Sequence, residues 1–190
     1  MALLVTDHAH SQGIFTYDQQ SADETVHGEF SAIIPTSQPL GQSFTPSLAG
    51  VGFIRLHLIR ASFGTAGATL YVNLRENSIT GNVLAASSPV VVPGGFIGYE
   101  NFFFPAQVSV TFGTTYYFQP VLQSGDPFAV EAHNGFNYAG GTAFSLGQPT
   151  PAFDLWFREG LYVPEPSSTA LGLLGAAWLV WARRRRCPVP

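Results

Sequence analysis

Ile54-Arg55-Leu56-His57-Leu58 alternates apolar and polar side chains with a period of two. Successive side chains of an extended chain leave opposite faces, so Ile54, Leu56 and Leu58 share one face and Arg55 and His57 the other. That is the pattern of a strand with one face on a core. It recurs outward along the chain. Leu70, Val72 and Leu74 alternate with Tyr71, Asn73 and Arg75. Phe128, Val130 and Ala132 alternate with Ala129, Glu131 and His133, and Phe153, Leu155 and Phe157 with Asp154, Trp156 and Arg158. Further strands are expected at residues 99–104 and 115–122, with shorter ones at 42–45 and 89–92. Gly81, Gly113, Gly125 and the pairs Gly94-Gly95 and Gly140-Gly141 punctuate the pattern. No window before residue 163 has a helical period. Seven or eight strands at this spacing predict an all-β domain over residues 41–162. The expected form is an antiparallel β-sandwich of jelly-roll type, with an up-and-down barrel as the alternative. Residues 1–40 are polar and read as partly irregular, with one strand expected at 13–17 and the rest loop or cover for a sheet edge.

Composition agrees with that class. The 190 residues include 16 Phe, 7 Tyr and 3 Trp, enough for a substantial core, while only 11% are charged and none is Lys. Twenty Gly and fourteen Pro favour turns over long helices. Half of the eight basic residues are Arg183, Arg184, Arg185 and Arg186. Residues 1–162 hold only Arg55, Arg60, Arg75 and Arg158 against eleven acids, a net of about −7. Such a surface repels phosphate backbones and argues against nucleic-acid binding. The lone cysteine, Cys187, lies beyond the arginines, so an internal disulfide and a cysteine-based zinc site are both excluded.

The last 28 residues have three parts. Val163-Pro164-Glu165-Pro166 is stiff and extended, because each proline fixes its own φ and restrains the preceding residue. Residues 169–182 carry no charge and are mostly Ala, Leu, Gly, Val and Trp. As a helix they span roughly 21 Å, against a hydrocarbon core of about 30 Å. Three features favour the membrane over a buried core helix. The run has no polar face. Trp178 and Trp181 sit near its end, where indoles favour the lipid interface. Arg183, Arg184, Arg185 and Arg186 follow at once, and clustered arginine stays cytoplasmic, which puts the large N-terminal body outside. Snorkelling and local thinning supply the missing length.

This order of Pro164-Glu165-Pro166, short apolar helix and arginine cluster resembles the PEP-CTERM sorting signal. The resemblance implies that an exosortase reads Pro164, Glu165 and Pro166. Residues 169–182 then anchor the chain transiently in the inner membrane, and Arg183 to Arg186 stop transfer. It also implies release of the body to the cell surface or to extracellular polysaccharide. Members of that family begin with a secretory leader. Here residues 1–5 run into Asp7 and His8 with no basic or apolar leader region, so the true start is expected upstream. The segments GQSFTP (41–46), VSVTFGTTYYFQP (108–120) and FDLWFREGL (153–161) are similar to β-sandwich modules of bacterial surface proteins, whose fold resembles carbohydrate-binding modules.

Chemistry-bearing motifs are sparse. The chain has no nucleophile elbow, phosphate loop, HExxH helix or CxxC pair, so no catalytic residue is assigned. Asp7, His8, His10, Asp23 and His27 lack metal-ligand spacing and read as a solvated stretch, so no metal or cofactor is assigned either. A calcium site at Asp126 or Asp154 lacks an acidic loop motif. Alternation puts Trp156 on the polar face between Asp154 and Arg158, where its indole stacks on a sugar ring while Asp154 accepts hydroxyl hydrogen bonds. Tyr117 and Tyr138 complete the candidate ligand site, and Tyr71, Asn73, Gln119, His133 and Asn137 offer similar groups. The competing reading packs Trp156 beneath a loop or the N-terminal segment. The expected function is that of an exported surface or matrix protein with a structural, adhesive or glycan-binding role. A polysaccharide lyase or hydrolase is the enzymatic alternative and needs paired acids, with Asp126, Glu131, Asp154 and Glu159 the acids available in the late strands. The third reading is an unprocessed tail-anchored protein.

Overall fold

A computed structural model describes residues 13–61 and 65–164. The sorting motif beyond Pro164, the expected helix at 169–182 and Arg183 to Arg186 lie outside the described residues. Two compact units are distinguished. One is Thr16–Leu161. The other comprises the chain ends, of which residues 13–15 and 162–164 are described, with the Phe15 and Tyr162 rings 5.0 Å apart.

The described residues form fourteen strands and no helix. In chain order they are β1 (Ile14–Gln20), β2 (Phe30–Ile33), β3 (Gly41–Phe44), β4 (Gly50–Arg60), β5 (Ala68–Glu76), β6 (Val83–Ala86) and β7 (Val90–Val92). There follow β8 (Ile97–Ser109), β9 (Tyr116–Gly125), β10 (Phe128–His133), β11 (Ala143–Ser145), β12 (Gln148–Thr150), β13 (Asp154–Leu155) and β14 (Phe157–Val163). They build two antiparallel sheets packed face to face, so the protein is a β-sandwich and not one closed barrel. The first sheet contains β1, β2, β4, β8, β10, β13 and β14; the second contains β3, β5, β6, β7, β9, β11 and β12. Because β1 and β2 belong to the first sheet, the sandwich takes in part of the segment 1–40 that the sequence pattern sets apart.

Alternation decides which side chains meet between the sheets. Ile54, Leu56, Leu58, Phe128, Val130, Leu155 and Phe157 of the first sheet are fully buried, as are Phe44, Leu70, Val72, Leu74 and Phe118 of the second. Phe157 joins the layers: its ring lies 5.2 Å from Phe118 and 6.4 Å from Phe44. At the β9–β10 turn, Gly125 takes φ 95°, where a Cβ would also come 2.3 Å from the Gly67 carbonyl oxygen.

The first sheet branches. Along one edge β4 pairs with β8, from Gly50↔Ser109 to Ile59↔Ile97. Its other edge is shared: Phe53 to Leu56 face β14, and Leu58 to Arg60 face β10. Beyond that contact β10 leaves β4 and pairs with β13 at Ala132↔Leu155. The last strands therefore enter the fork where β4 and β10 part. Trp156 stands at the branch point, with its backbone N–H donating to the Glu131 carbonyl at 2.8 Å.

Candidate functional site

The fork brings His57 of β4, Glu131 of β10 and Trp156 together on the outer face of the first sheet, opposite the core-facing Leu56, Leu58 and Val130. Tyr99 of β8 is the register partner of His57. Its ring lies 4.6 Å from the His57 ring and 4.5 Å from the Trp156 ring.

This face is covered by the connection from β1 to β2. Ser21 fixes one end: its N–H donates to Phe157 O at 3.1 Å and its hydroxyl to Leu155 O at 2.7 Å. The chain then passes over the indole. Trp156 Nε1 donates to Asp23 O at 3.2 Å, and the Tyr99 hydroxyl donates to Glu24 O at 2.9 Å. The Glu24 carboxylate pairs with Arg55 at 2.8 Å and with Arg158 at 3.6 Å. Gly28 donates its N–H to Glu131 Oε1, and a Cβ there would come 2.5 Å from the Ala132 carbonyl oxygen, so this close approach needs glycine. Burial, reinforced by the charges of Glu131 and Glu24, raises the Tyr99 hydroxyl above the usual phenol range.

Trp156 is 0% exposed. Alternation places it on the polar side as expected, but as it stands the buried indole presents no face to a sugar: the Tyr99 and His57 rings lie against it and Asp23 O takes its N–H. Arg158 is held on the same sheet, with its guanidinium 3.6 Å from the centroid of Tyr17 and its Nε donating to Gln20 Oε1 at 2.8 Å. Asp154 turns the other way. It accepts from Gln42 Nε2 and from the Tyr138 N–H, each at 2.8 Å. The Tyr138 hydroxyl donates to Gln19 Oε1 at 3.0 Å, and burial above all pushes it up to about 12. Tyr117 stands apart on β9 of the second sheet, with its ring 5.6 Å from Phe144. The five candidate ligand residues thus divide among three places and do not form one site.

The outer face of the second sheet is more accessible. Tyr71 and Tyr117 are half-buried there, beside a row of amides. Gln119 Oε1 accepts from Arg75 Nε at 2.8 Å and from Asn73 Nδ2 at 3.4 Å, while Gln119 Nε2 donates to Gln38 Oε1 at 2.6 Å. His133, the last residue of β10, and Asn137, in the loop after it, lie elsewhere, each bonded to Gly135. A recess bordered by Phe30, Leu40, Phe144, Phe153 and Leu155 is almost wholly apolar and offers no converging polar groups for a hydroxylated ligand.

The acids considered for catalysis are scattered. Asp126 accepts from the Ala66 N–H at 3.0 Å, and Glu159 is fully buried on β14. Burial first, then the neighbouring Asp18 charge, raises the Glu159 carboxyl to about 9. At Asp18 burial acts upward, but the Ser47 hydroxyl and the Leu48 and Ser47 N–H groups outweigh it and hold the carboxyl below its ordinary value.

His27, His57 and Glu131 are the one His/Cys/Asp/Glu group among the described residues whose donor atoms lie together, all within 4.8 Å of one another. His57 Nδ1 is 2.5 Å from Glu131 Oε2, and His27 Nδ1 is 3.9 Å from the same oxygen. The sequence pattern leaves this group unseen. It gives no reason to join His27, from a polar stretch, to two residues of separate strands. The outward positions of His57 and Glu131 are the only legible part. No family model matches the chain, and neither a curated protein nor a solved structure matches it.

Proposed function

We propose that this chain is an exported cell-envelope protein, sorted through its C-terminal tail by an exosortase, with a structural or adhesive role on the cell surface or in polysaccharide. The observation that carries the proposal is the order of Pro164-Glu165-Pro166, the uncharged residues 169–182 and Arg183 to Arg186. Those arginines keep to the cytoplasmic side of the inner membrane and leave the acidic body outside. The sandwich supports this reading, since its last strand ends at Val163, directly before the motif. Cleavage near the motif would leave the fourteen strands whole. We assign the sandwich to the jelly-roll type and its role to binding rather than catalysis. Glycan contact suits the outer face of the second sheet, where Tyr71 and Tyr117 flank the amides of Asn73 and Gln119.

Intact mass of the protein recovered from the native cell surface tests the sorting. Loss of the arginine cluster is expected. A surface-held body that still carries Arg183 to Arg186 would establish a simple tail anchor instead. An in-frame apolar leader encoded upstream of Met1 is a second expected finding. Glycan-array binding by the wild type that is lost in Tyr117→Ala and kept in Trp156→Phe is the expected pattern for the second-sheet face.

A further inference from the structure

We infer that His27, His57 and Glu131 form a binding site for one divalent transition metal of the zinc class. The inference is independent of the sorting reading. It rests first on geometry. A zinc ion sits about 2.0–2.2 Å from imidazole nitrogen or carboxylate oxygen, so its ligand atoms stand roughly 3–4 Å apart. The His27–Glu131 separation of 3.9 Å matches that spacing, and the His57–Glu131 separation of 2.5 Å is shorter, so an ion seated there parts that pair by roughly 1 Å while the His27 side chain, 59% exposed, has room to adjust.

The second observation is unmet polarity. The side chains of His57 and Glu131 are 8% and 3% exposed. His57 Nδ1 and Glu131 Oε2 face each other at 2.5 Å, and neither has a hydrogen bond to any other group. A buried nitrogen and a buried carboxylate oxygen with only each other for company are poorly compensated for lost water, and a cation between them would use both lone pairs. The carboxylate is already oriented for the task. Oε1 takes the Gly28 N–H, which leaves Oε2 turned toward both imidazoles. Such support of a ligand's second atom is the usual companion of a metal site.

Ligand type selects the ion. Two imidazoles and one carboxylate suit zinc and its neighbours, whereas calcium and magnesium take oxygen donors. Three protein ligands leave a fourth position for water. The three residues come from the covering segment, β4 and β10, so a bound ion fastens the cover across the fork. Residues 1–186 contain no cysteine, and the ion supplies a cross-link that no disulfide can.

The test uses the full chain in detergent, stripped with chelator and dialysed against Zn2+. A second set of samples takes Co2+, whose visible absorption reports coordination. The expected result is one Zn2+ per chain, a metal-dependent rise in Tm, and imidazole-type Co2+ bands. His8→Ala/His10→Ala should change none of these. His27→Ala, which removes an exposed side chain and leaves the strand signal intact, and Glu131→Gln should each weaken binding more than about ten-fold and abolish the rise in Tm. Absence of stoichiometric uptake by the wild type overturns the site. So does uptake that survives His27→Ala and Glu131→Gln unchanged, or that disappears with His8 and His10.

Discussion

The two outer faces of the sandwich start from the same pattern and end differently. On the first sheet the outward residues Arg55, His57, Tyr99, Glu131 and Trp156 are roofed by residues 21–28. On the second, Tyr71 and Tyr117 stay half-buried over the buried amides of Asn73 and Gln119. Alternation specifies which side of a strand a residue occupies. It does not specify what lies on that side. A tryptophan with polar neighbours therefore reads as a solvent-facing platform, while a segment about 130 residues earlier closes over it. The contrast also separates two kinds of polar chemistry. The amides of Asn73 and Gln119 are themselves buried, but they meet one another, Arg75 and Gln38 in hydrogen bonds. Under the roof, donors and acceptors must be met within the protein, and His57 Nδ1 and Glu131 Oε2 have only each other.

The largest way to break the contrast is Trp156→Ala. Removing a fully buried indole should cost about 3–5 kcal/mol, read from the denaturant midpoint at constant slope. A cost under about 1 kcal/mol would mean that the roof stands open in solution.

Glu159 sharpens the point inside the core. The folded chain keeps a proton on this carboxyl up to a pKa of about 9, whereas the unfolded chain releases it near the ordinary glutamate value of 4.5. Stability from this group is thus full below the ordinary glutamate range and is lost as pH rises through about 9. Glu159→Gln should flatten that slope and leave the variant relatively more stable by about 3 kcal/mol at neutral pH, wherever the amide finds partners. Urea titrations at pH 5 and pH 8 would show it.

A smaller effect is expected from Glu24→Ala. Its carboxylate ties Arg55 and Arg158 to the roof but is 40% exposed, so solvent screens the pairs and the loss should be about 1 kcal/mol. Amide exchange of residues 21–29 should quicken while the core strands keep their protection. Tyr117→Ala, on the open face, should cost least, about 1 kcal/mol or below, through its edge contact with Phe144.

Much of the fold is legible from residue type. The long alternating runs become β4, β5, β10 and the pair β13 and β14; the predicted segment at 99–104 falls inside β8, and that at 115–122 overlaps β9 from Tyr116 onward. Period two carries that information wherever one face is buried. The short strands lack it. β6 begins Val83-Leu84 with both residues exposed, and β2 carries Phe30 and Ile33 exposed at its ends, so neither shows a buried stripe. The β11–β12 hairpin turns on Leu146 and Gly147, both at positive φ (53° and 74°). Asparagine or aspartate is the usual residue at the first of these positions, and a leucine there gives no signal. The branch at Trp156 is hidden for a different reason. Asp154 to Arg158 reads as one uninterrupted strand, but its neighbour changes from β10 to β4 midway. That exchange, a matter of partner and not of pattern, sets Trp156 beside the His57–Glu131 pair, which lies one step beyond the Val130↔Leu58 register of β10 and β4.

The fork has a mechanical consequence. β14 is an interior strand of the first sheet: Phe157 to Gly160 pair with β4, and β1 is its other neighbour. A pull applied through residue 164 would grip the sheet by an interior strand rather than strip a free edge. Drag on a tethered body would then be borne by many interstrand bonds at once instead of opening them one after another.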